Sequence, residues 1–588
     1  MSHSKPVLSR FKQYYNSLPE QLGAGLLKDG IYELPGAWKF FTRLTPGEPV
    51  LLFCPGLTSV ACAFARHASR VDVIGLQASE TALLTELAEF KTLGNIRILQ
   101  HAADISETYA TIIVLPRNSA PDIKLLRSVV ETLTQTQTRE ADWWILAQES
   151  SGQALARIGQ SLKRKFLRRT SRQKPAANAR LFLSNDDLMP RPQVSALFAK
   201  RLPNMRMQLH LAPAFVHPKF IARPHPEQKS GHAGGQTILS HAPDGLSYLQ
   251  RLLHHLNKFG GAQWRPEQRL HVLAGGKVQL VLCNEAMPTQ PKALLKLPLV
   301  PHAEIRLREN AKTLTRLREA LELTEEQPGL FPQLLAQGAF ESQSYHLESF
   351  LAGRSLDQLP AATTRTPAQI QKILQCWLAL QAKFVRPLRV NETVFQQVFV
   401  KPAQAVQEWL ELGADDRARM RRIYDAWHRQ FADRELVLGL VHGDFSIKNI
   451  MADPGTLEIT GFIDWDLADF CSIPLMDVLH FFIRLDARSF HDAPPAIALR
   501  LVQSAAGVHH NHFQNVRQRY DYRPEDWMGI VMLYWQHRLR GYLGSPKNYN
   551  PRFVRRQFFD VLALFEREVF TAKTFAGAGR HASEKTVV

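Results

Sequence analysis

The residues with the clearest chemistry lie in two short segments, LVHGDFSIKNIM (Leu440 to Met451) and ITGFIDWDLADF (Ile459 to Phe470). Asp444 and Asn449 stand five positions apart in the first segment, and Asp464 follows an apolar stretch in the second. A carboxylate, an amide oxygen and a second carboxylate make a hard oxygen site that suits Mg²⁺. The remaining carboxylate can accept a proton from an attacking hydroxyl. Phosphoryl transfer from ATP needs these parts and a positive residue on the phosphates, so the segments predict that chemistry.

The motif pair HGD-x4-N and IDWD resembles that of the aminoglycoside phosphotransferase and choline kinase-like family, which shares the protein-kinase fold. The resemblance covers about residues 265–545 and implies an α+β bilobal domain that uses ATP and Mg²⁺. It implies that Asp444 is the catalytic Asp, which orients or deprotonates the acceptor hydroxyl, and that Asn449 and Asp464 hold the metal. Two further residues, expected to brace this region, are His442 and Asp477.

The strand-rich stretch before these segments carries the nucleotide side of the resemblance. Lys296 in ALLKLP resembles the third-strand lysine that contacts the α- and β-phosphates, and Lys292 is the competing lysine. Glu309 in LRENAKTL resembles the helix glutamate that pairs with this lysine. Glu304 and Glu319 follow the same helical pattern, so they stay as alternatives to Glu309.

Two loops complete the expected nucleotide contacts. The sequence AGG is expected to cover the phosphates through Gly275 and Gly276, and the hinge from Glu348 to Phe350 is expected to line the adenine. An alternative for the whole region is a pseudokinase that keeps the fold without catalysis. Inactive relatives generally lose the base, the metal-binding Asp or the phosphate lysine, and all three are present here.

Short apolar runs alternate with helical patterns over about residues 30–150, which predicts a parallel, doubly wound (Rossmann-like) α/β sheet. This layout resembles class I S-adenosylmethionine-dependent methyltransferases. The positions that depart from the family's cofactor site, by lacking an acid or a glycine, are Leu52, Cys54, Thr58 and Gln77. A side chain in place of a glycine crowds the ligand, and an amide in place of a carboxylate weakens a hydrogen bond to ribose. We therefore expect a degenerate domain that binds S-adenosylmethionine weakly or not at all.

A change of composition suggests the domain boundaries. The stretch after residue 223 is rich in Gly, Pro, Ser and His, which is typical of a linker. The predicted division is a methyltransferase-like domain at 1–223, a linker at 224–264, a kinase-like domain at 265–570 and a flexible tail at 571–588.

The chain is basic, with 72 Lys and Arg against 54 Asp and Glu and a formal net charge of +18. A basic surface favours anionic neighbours without choosing among them. The run SLKRKFLRRTSRQK at 161–174 is either a solvated helix or loop, or a contact with an anionic membrane surface. No aromatic interleaving or known reader motif accompanies it, so no specific nucleic-acid binding is expected.

The remaining composition points to a cytoplasmic protein. The five cysteines are scattered and form no CxxC pair, which predicts neither a zinc site nor a disulfide framework. No apolar run approaches the roughly 20 residues that a transmembrane helix needs. The N-terminus has no continuous apolar segment of the kind that a secretory signal contains.

Three functions remain in competition. The first is an ATP-dependent phosphotransferase acting on the hydroxyl of a small molecule or glycan. The second is a bifunctional methyltransferase and kinase of surface-polysaccharide tailoring, and the third is a non-catalytic scaffold. Asp444, Asn449, Asp464 and Lys296 favour an active kinase over a scaffold, whereas Leu52 and Gln77 count against methylation.

Overall fold

The computed structural model describes residues 39–40, 46–53, 58–114, 120–136, 141–148, 208–212, 221–222, 236–241, 247–259, 263–273, 276–284, 287–323, 329–410, 412–485, 494–503, 510–542 and 554–567. The chain divides into two compact units, one formed by Met1–Leu307 and Leu334–Phe350 and the other by Arg308–Gln333 and Leu351–Val588. None of the described helices is both long and apolar enough to cross a membrane.

The first unit begins with a seven-stranded sheet whose strands lie in the order β3-β2-β1-β4-β5-β8-β6. Its strands are β1 (Pro49–Phe53), β2 (Arg70–Ile74), β3 (Ile96–Leu99), β4 (Thr111–Val114), β5 (Asp142–Gln148), β6 (Gln208–Ala212) and β8 (Gln236–His241). β1 to β5 pair in parallel, whereas β8 is antiparallel to both of its neighbours. The helices that follow β1, β2 and β4 are α1 (Thr58–Ala65), α2 (Ala78–Phe90) and α3 (Ala120–Thr136). The predicted doubly wound α/β domain is thus confirmed.

The central strand β1 is apolar on both faces, as is typical of parallel strands whose sheet is covered on both sides. Val50, Leu51, Leu52 and Phe53 of β1 are all buried. The strand order reverses between β1 and β4, which is where sheets of this kind bind ligands, beyond the carboxyl ends of the strands.

A buried ionic network ties the strands β2 and β3 together. The Asp72 carboxylate is fully buried and accepts two hydrogen bonds from Arg97, at 2.9 and 2.6 Å. The Tyr109 hydroxyl donates to the same carboxylate at 2.6 Å, and Arg70 lies 3.1 Å from it. A buried carboxylate is tolerated because its charge is paired and its oxygens are hydrogen-bonded.

A second, antiparallel sheet in the same unit has the order β12-β13-β11-β10-β9-β7. Its strands are β7 (Ile221–Ala222), β9 (Trp264–Leu273), β10 (Lys277–Asn284), β11 (Met287–Pro298), β12 (Leu334–Phe340) and β13 (Gln343–Ser349). The helix α4 (Tyr248–Phe259) precedes β9, and the helix α5 (Pro301–Ala320) follows β11. Consecutive strands of the chain therefore alternate between the sheets: β6 in the first, β7 in the second, β8 in the first and β9 in the second.

The structure of residues 224–264 differs from the prediction that this stretch is a linker. The stretch holds β8, which pairs with β5 and β6, and the helix α4. A Gly- and Pro-rich composition hid a six-residue strand because a strand this short has little periodicity of its own. The basic run 161–174 and the tail 571–588 lie outside the described residues.

The second unit is mostly helical, with two small sheets ordered β14-β17-β18 and β15-β16-β19. The strands are β14 (Arg354–Ser355), β15 (Arg386–Arg389), β16 (Glu435–Val441), β17 (Ile450–Ala452), β18 (Ile459–Phe462) and β19 (Asp469–Ser472). The helices up to β16 are α6 (Ala361–Thr364), α7 (Pro367–Gln381), α8 (Glu392–Phe395), α9 (Lys401–Leu410) and α10 (Ala414–Phe431). The helices after β19 are α11 (Leu475–Leu485), α12 (Pro494–Gln503), α13 (His510–Arg519) and α14 (Asp526–Tyr542).

Aromatic side chains fill the core of this helical unit. Trp377, Trp427, Trp465 and Trp535 are among the largest fully buried side chains. Trp377 stacks on Phe445 with ring centroids 4.6 Å apart, so the core reaches the loop that carries the HGD motif. The kinase-like α+β fold expected for this part of the chain is confirmed.

Candidate active site

The hairpin of β17 and β18 brings the two predicted metal ligands to the same end of this pair of strands. Ile450 pairs with Phe462, and the Ile463 amide donates to the Asn449 carbonyl at 3.0 Å. Asn449 therefore precedes one strand where Asp464 follows the other. Asp464 has φ +68°, a left-handed conformation that aspartate adopts more readily than most residues.

The HGD loop follows β16 and turns on Gly443, which has φ +81°. A Cβ at this position would lie 2.5 Å from the Leu467 carbonyl oxygen, so only glycine fits. The buried Asp477 carboxylate accepts the His442 amide at 2.7 Å and the Gly443 amide at 3.0 Å. As expected of a structural Asp, Asp477 therefore holds the loop from behind.

His442 is fully buried and braces the same loop. Its Nε2 donates to the Ile463 carbonyl, 3.0 Å away, which ties the HGD loop to the residue before Asp464. Burial lowers the pKa of His442 to about 4, more than the nearby carboxylates Asp444 and Asp464 can offset. The imidazole is therefore neutral at pH 7.

The Asp444 carboxylate has partners on both oxygens. Oδ1 lies 3.0 Å from Nε2 of His480, and Oδ2 lies 2.6 Å from the Lys448 ammonium. The Asn449 amide nitrogen donates to the Asp444 carbonyl at 2.9 Å and to Oδ2 at 3.2 Å. Asp444 and Asn449, five positions apart in sequence, are thus in direct contact.

These partners decide the ionisation of Asp444. Burial acts to raise the pKa of Asp444, but the hydrogen bond from His480 and the charge of Lys448 outweigh it and hold this pKa well below its usual range. The carboxylate is therefore ionised at neutral pH. A group that holds its proton so weakly is better suited to orient a hydroxyl than to deprotonate it early.

His480 and Tyr534 extend this arrangement into the helices α11 and α14. The Asp444 carboxylate can only accept, so Nε2 of His480 carries the hydrogen. Nδ1 then accepts from the Tyr534 hydroxyl, 3.0 Å away. Burial lowers the pKa of His480 and favours this neutral form, although the hydrogen bond to Asp444 acts in the opposite direction. Sequence reasoning missed both residues, although His480 stands one helical turn after Asp477.

The residues at the end of the hairpin fit Mg²⁺. Because the Asn449 nitrogen points to Asp444, the amide oxygen lies on the other arm of the amide, where it can serve as a ligand. Mg²⁺ in nucleotide sites takes one or two carboxylates, with water and phosphate oxygens for the rest. Asn449 and Asp464 meet that requirement. Within the described part of the chain, no group of three or more His, Cys, Asp and Glu side chains is arranged as a metal site.

The structure pairs Lys296 with another residue of the first unit. The Lys296 ammonium pairs with Glu348 at 2.6 Å, and these residues are 3% and 2% exposed. Glu309, predicted as the partner, pairs instead with Lys312 on the exposed face of α5, where its side chain is 51% exposed. The reason is the register of two hydrogen-bonded neighbours, β11 and β13, in which Lys296 lies opposite His346. Glu348 stands two residues after His346 in β13, within reach of Lys296. Lys292, the competing lysine, is exposed.

The other predicted nucleotide residues lie at strand ends of the second sheet. Gly276 has φ +75° in the turn between β9 and β10, and Gly275 lies outside the described residues. Phe350 follows β13, and its amide donates to the Lys292 carbonyl at 2.9 Å. Glu348, predicted to line the adenine, has its carboxylate on Lys296 instead.

Asn310, next to Glu309, lies on the buried face of α5. Its side-chain oxygen accepts the Trp465 amide at 2.9 Å, and Trp465 directly follows Asp464. Trp465 is itself fully buried, and its indole nitrogen donates to the Phe462 carbonyl. The helix α5 thus contributes an amide contact to the segment that carries Asp464.

Of the four positions predicted to depart from a methyltransferase cofactor site, the structure describes three. Leu52 is fully buried in β1. Gln77 is the exposed residue before α2, and its backbone N–H donates to the Glu80 carboxylate at 2.9 Å. The Asp104 carboxylate accepts two amides of its own turn, from Gln100 and His101. Thr58 begins α1, and Cys54 lies outside the described residues.

Comparisons with known proteins find a family match for part of the chain. Residues 288–516 match the family model described as phosphotransferase enzyme family. A search of curated proteins finds no match.

Solved structures resemble each part at low similarity. An aminoglycoside phosphotransferase from Streptomyces rimosus, solved with ADP and streptomycin, is 16% identical over 49% of this chain and 97% of its own, with a TM-score of 0.28. A putative methyltransferase from Streptococcus mutans, solved in complex with SAH, is 10% identical over 35% of this chain and 96% of its own, with a TM-score of 0.18. A methyltransferase from Methanosarcina mazei is 11% identical over 34% and 94%, with a TM-score of 0.22.

TM-scores this low carry no argument, so the family match alone bears on the candidate site. Asp444, Asn449 and Asp464, the three residues of the motif pair, all fall within the matched stretch. The stretch at residues 288–516, which is less than half of the chain, is thus similar to the phosphotransferase enzyme family.

Proposed function

We propose that the protein is an ATP- and Mg²⁺-dependent phosphotransferase that acts on the hydroxyl of a small molecule or glycan. The observation that carries the proposal is the direct contact of Asp444 with Asn449, at the end of the hairpin where Asp464 also lies. It supports one site with an acceptor-facing carboxylate and two oxygen ligands.

Asp444 would accept the hydrogen bond of the acceptor hydroxyl and aim its oxygen at the terminal phosphorus of ATP. The new bond joins that oxygen to phosphorus, the bond to the ADP oxygen breaks, and the hydroxyl proton leaves late, towards Asp444 or solvent. Such transition states are loose, so positioning matters more than early deprotonation. The strongly ionised state of Asp444 supports an orienting role.

Asn449 and Asp464 would hold Mg²⁺, which when bound compensates the charge of the nucleotide phosphates. Lys296 would contact the α- and β-phosphates, and Glu348 would fix its ammonium. Gly275, Gly276 and Phe350 remain proposed contacts of the nucleotide, whereas Glu309 is not, because it is exposed and paired with Lys312.

The first sheet would serve as a methyltransferase-like accessory domain without catalysis, and S-adenosylmethionine would not be a cofactor. We keep a cytoplasmic location as part of the proposal, with a peripheral contact of residues 161–174 on anionic membrane and without a specific nucleic-acid partner.

The test uses the purified full chain with Asp464→Ala and, as a matched control, Asp425→Ala on the exposed face of α10. Calorimetry is expected to find Mg²⁺-dependent binding of ATP to the wild type and to the Asp425 variant but not to Asp464→Ala. ATP consumption with hydroxyl compounds then detects turnover. Undiminished Mg-ATP affinity of Asp464→Ala would exclude the metal assignment, and a wild type that binds no ATP would exclude the kinase.

A further inference from the structure

We infer that Asn310 is a positioning residue of the proposed metal site. By holding the peptide plane that follows Asp464, it keeps the Asp464 carboxylate in the direction in which this group can bind Mg²⁺. The inference rests on the proposed phosphotransferase function, and it adds a residue of α5 that lies outside both motif segments.

The backbone of Asp464 has an unusual conformation for its place in the fold. Asp464 has φ +68° and follows the strand β18. The other non-glycine residues with positive φ in the described part of the chain stand shortly after a helix or in a hairpin turn, where this conformation is common. Asp464 stands in neither. A left-handed residue of this kind persists only when its surroundings hold it, and such residues cluster at functional sites.

Two side chains hold the peptide planes on either side of Asp464. A peptide group is planar, so the conformation of a residue is set by the plane before it and the plane after it. Nε2 of His442 donates to the Ile463 carbonyl at 3.0 Å, which holds the plane before Asp464. The side-chain oxygen of Asn310 accepts the Trp465 N–H at 2.9 Å, which holds the plane after it. His442 therefore acts on φ of Asp464, and Asn310 acts on ψ.

The hydrogen bond between Asn310 and Trp465 is enclosed in the core. These residues are 2% and 0% exposed. Trp465 is held at a second point, because its indole nitrogen donates to the Phe462 carbonyl at 2.9 Å. A buried N–H that loses its acceptor is costly. Without the Asn310 oxygen, the plane between Asp464 and Trp465 is therefore expected to turn towards another acceptor or water.

A turn of this plane changes the arrangement of the two proposed metal ligands. Asn449 is tied to the strand by the Ile463 amide, which donates to its carbonyl at 3.0 Å, and so does not follow the plane after Asp464. Mg²⁺ requires nearly octahedral geometry with short bonds to oxygen. Turning Asp464 relative to Asn449 should therefore weaken the binding of Mg-ATP and leave that of metal-free ATP almost unchanged.

The test measures ATP binding to the purified full chain by calorimetry, with Mg²⁺ and with EDTA. Asn310→Leu removes the acceptor oxygen at similar side-chain size. It is expected to weaken Mg-ATP binding about tenfold, as when the left-handed conformation of Asp464 falls to about a tenth of the molecules. The Mg²⁺ concentration for half-maximal ATP binding should rise by a similar factor. Metal-free ATP affinity should stay within about twofold of the wild type, or be undetectable in both.

Further variants separate positioning from stability, which denaturant unfolding measures for each protein. Asn310→Asp keeps an oxygen for the Trp465 N–H and is expected to recover most of the Mg²⁺ dependence. Thr313→Val removes a buried polar group one turn further along the same face of α5 and is expected to bind Mg-ATP as the wild type does. If Asn310→Leu does not fold, Asn310→Ala leaves room for a water on the Trp465 N–H and is expected to show a loss of about threefold.

Several outcomes would overturn the inference. One is Mg-ATP affinity within about twofold of the wild type in both Asn310→Leu and Asn310→Ala. Another is an equal loss of metal-free ATP affinity, or an equal loss in Thr313→Val, since either would assign the effect to the stability of α5. A wild type that binds ATP equally well without Mg²⁺ would remove the metal site, and one that binds no ATP would overturn the proposed function and this inference with it.

Discussion

At the scale of single residues, both carboxylate oxygens of Asp444 already have hydrogen-bond or ionic partners. The ammonium of Lys448 lies on Oδ2, and the imidazole of His480 lies on Oδ1. An acceptor hydroxyl that approaches Oδ2 competes with Lys448, whose side chain is 41% exposed and has room to turn. Acceptor binding is therefore expected to move this ammonium, which can then approach the transferred phosphoryl group.

The change Asp444→Asn is expected to lower phosphoryl transfer by about 10²–10⁴-fold, because the amide cannot accept the hydroxyl hydrogen in the same way. Mg-ATP affinity should stay within about threefold, since the proposed contact of Asp444 is with the acceptor and not with the nucleotide. ADP release with a working acceptor and calorimetry with Mg-ATP measure the two effects. Asp425→Asn, on the exposed face of α10, is the control. A loss below about tenfold would remove Asp444 from this role.

Glu348→Gln and Glu309→Gln separate the two candidate partners of Lys296. Glu348→Gln leaves a buried ammonium without its counter-charge, so the free energy of unfolding should fall by about 3–5 kcal/mol and Mg-ATP affinity should weaken. Glu309→Gln breaks an exposed pair, which should change stability by less than about 1 kcal/mol.

A double variant distinguishes loss of binding from loss of folding. Replacing the pair by Lys296→Met with Glu348→Leu should restore most of the stability and none of the nucleotide affinity. Denaturant unfolding and calorimetry give the two quantities. Equal behaviour of Glu348→Gln and Glu309→Gln would contradict the pairing.

At the scale of elements, the loop after β16 is expected to make the free energy of unfolding depend on pH, through His442. His442→Gln keeps a hydrogen-bond donor but removes the titration. The unfolded chain protonates histidine near pH 6.5, whereas the folded His442 has a pKa of about 4, so the unfolded state binds more protons between these values. His442 therefore favours the unfolded state increasingly as the pH falls from about 6.5 to 4.

The expected result is a difference in unfolding free energy, wild type minus His442→Gln, that is lower at pH 4 than at pH 7 by about 3 kcal/mol. Burial raises the pKa of Asp477 to about 7, so Asp477 acts with the opposite sign, losing stability as the pH rises. Asp477 is present in both proteins, and the difference isolates His442. A difference that does not vary with pH would show that His442 is not held neutral.

The motifs around Asp444 could be predicted because their chemistry is concentrated in about thirty consecutive residues. His480 and Tyr534 could not, since they stand 36 and 90 positions beyond Asp444 and reach it only through helix packing. On α5, the residue on the buried face is Asn310, one position after Glu309, which was expected to pair with Lys296. Each step rotates a helix by about 100°, so Glu309 is exposed where Asn310 is buried.

At the scale of the whole molecule, we expect S-adenosylmethionine not to bind the full chain. Leu52 is buried and apolar, and Gln77 stands where the family has the carboxylate that binds the ribose. Losing a charge-assisted hydrogen bond to the ribose costs about 1.5–3 kcal/mol, or more than tenfold in affinity. Calorimetric titration measures it, with Mg-ATP binding as proof of a competent sample. Low-micromolar affinity for S-adenosylmethionine would favour the bifunctional methyltransferase and kinase instead.

Hydrophobic patterning identified the doubly wound sheet because its strands and helices alternate over many residues. The kinase-like region was identified from its motif pair instead. Patterning failed between residues 224 and 264, where the stretch expected to be a linker contains β8 and α4. Pairing of β8 with β5 joins segments about ninety residues apart, and no local pattern records such a distance.

The alternation of β6, β7, β8 and β9 between two sheets also governs how the chain can assemble as it leaves the ribosome. β5 gains its neighbour β8 only once residue 241 has been synthesised, and β7 waits for β9 at 264–273. Until then both sheets have open edges, which are prone to pair with other chains. The first sheet therefore cannot be completed before residue 241, and β7 has by then been synthesised without its partner β9.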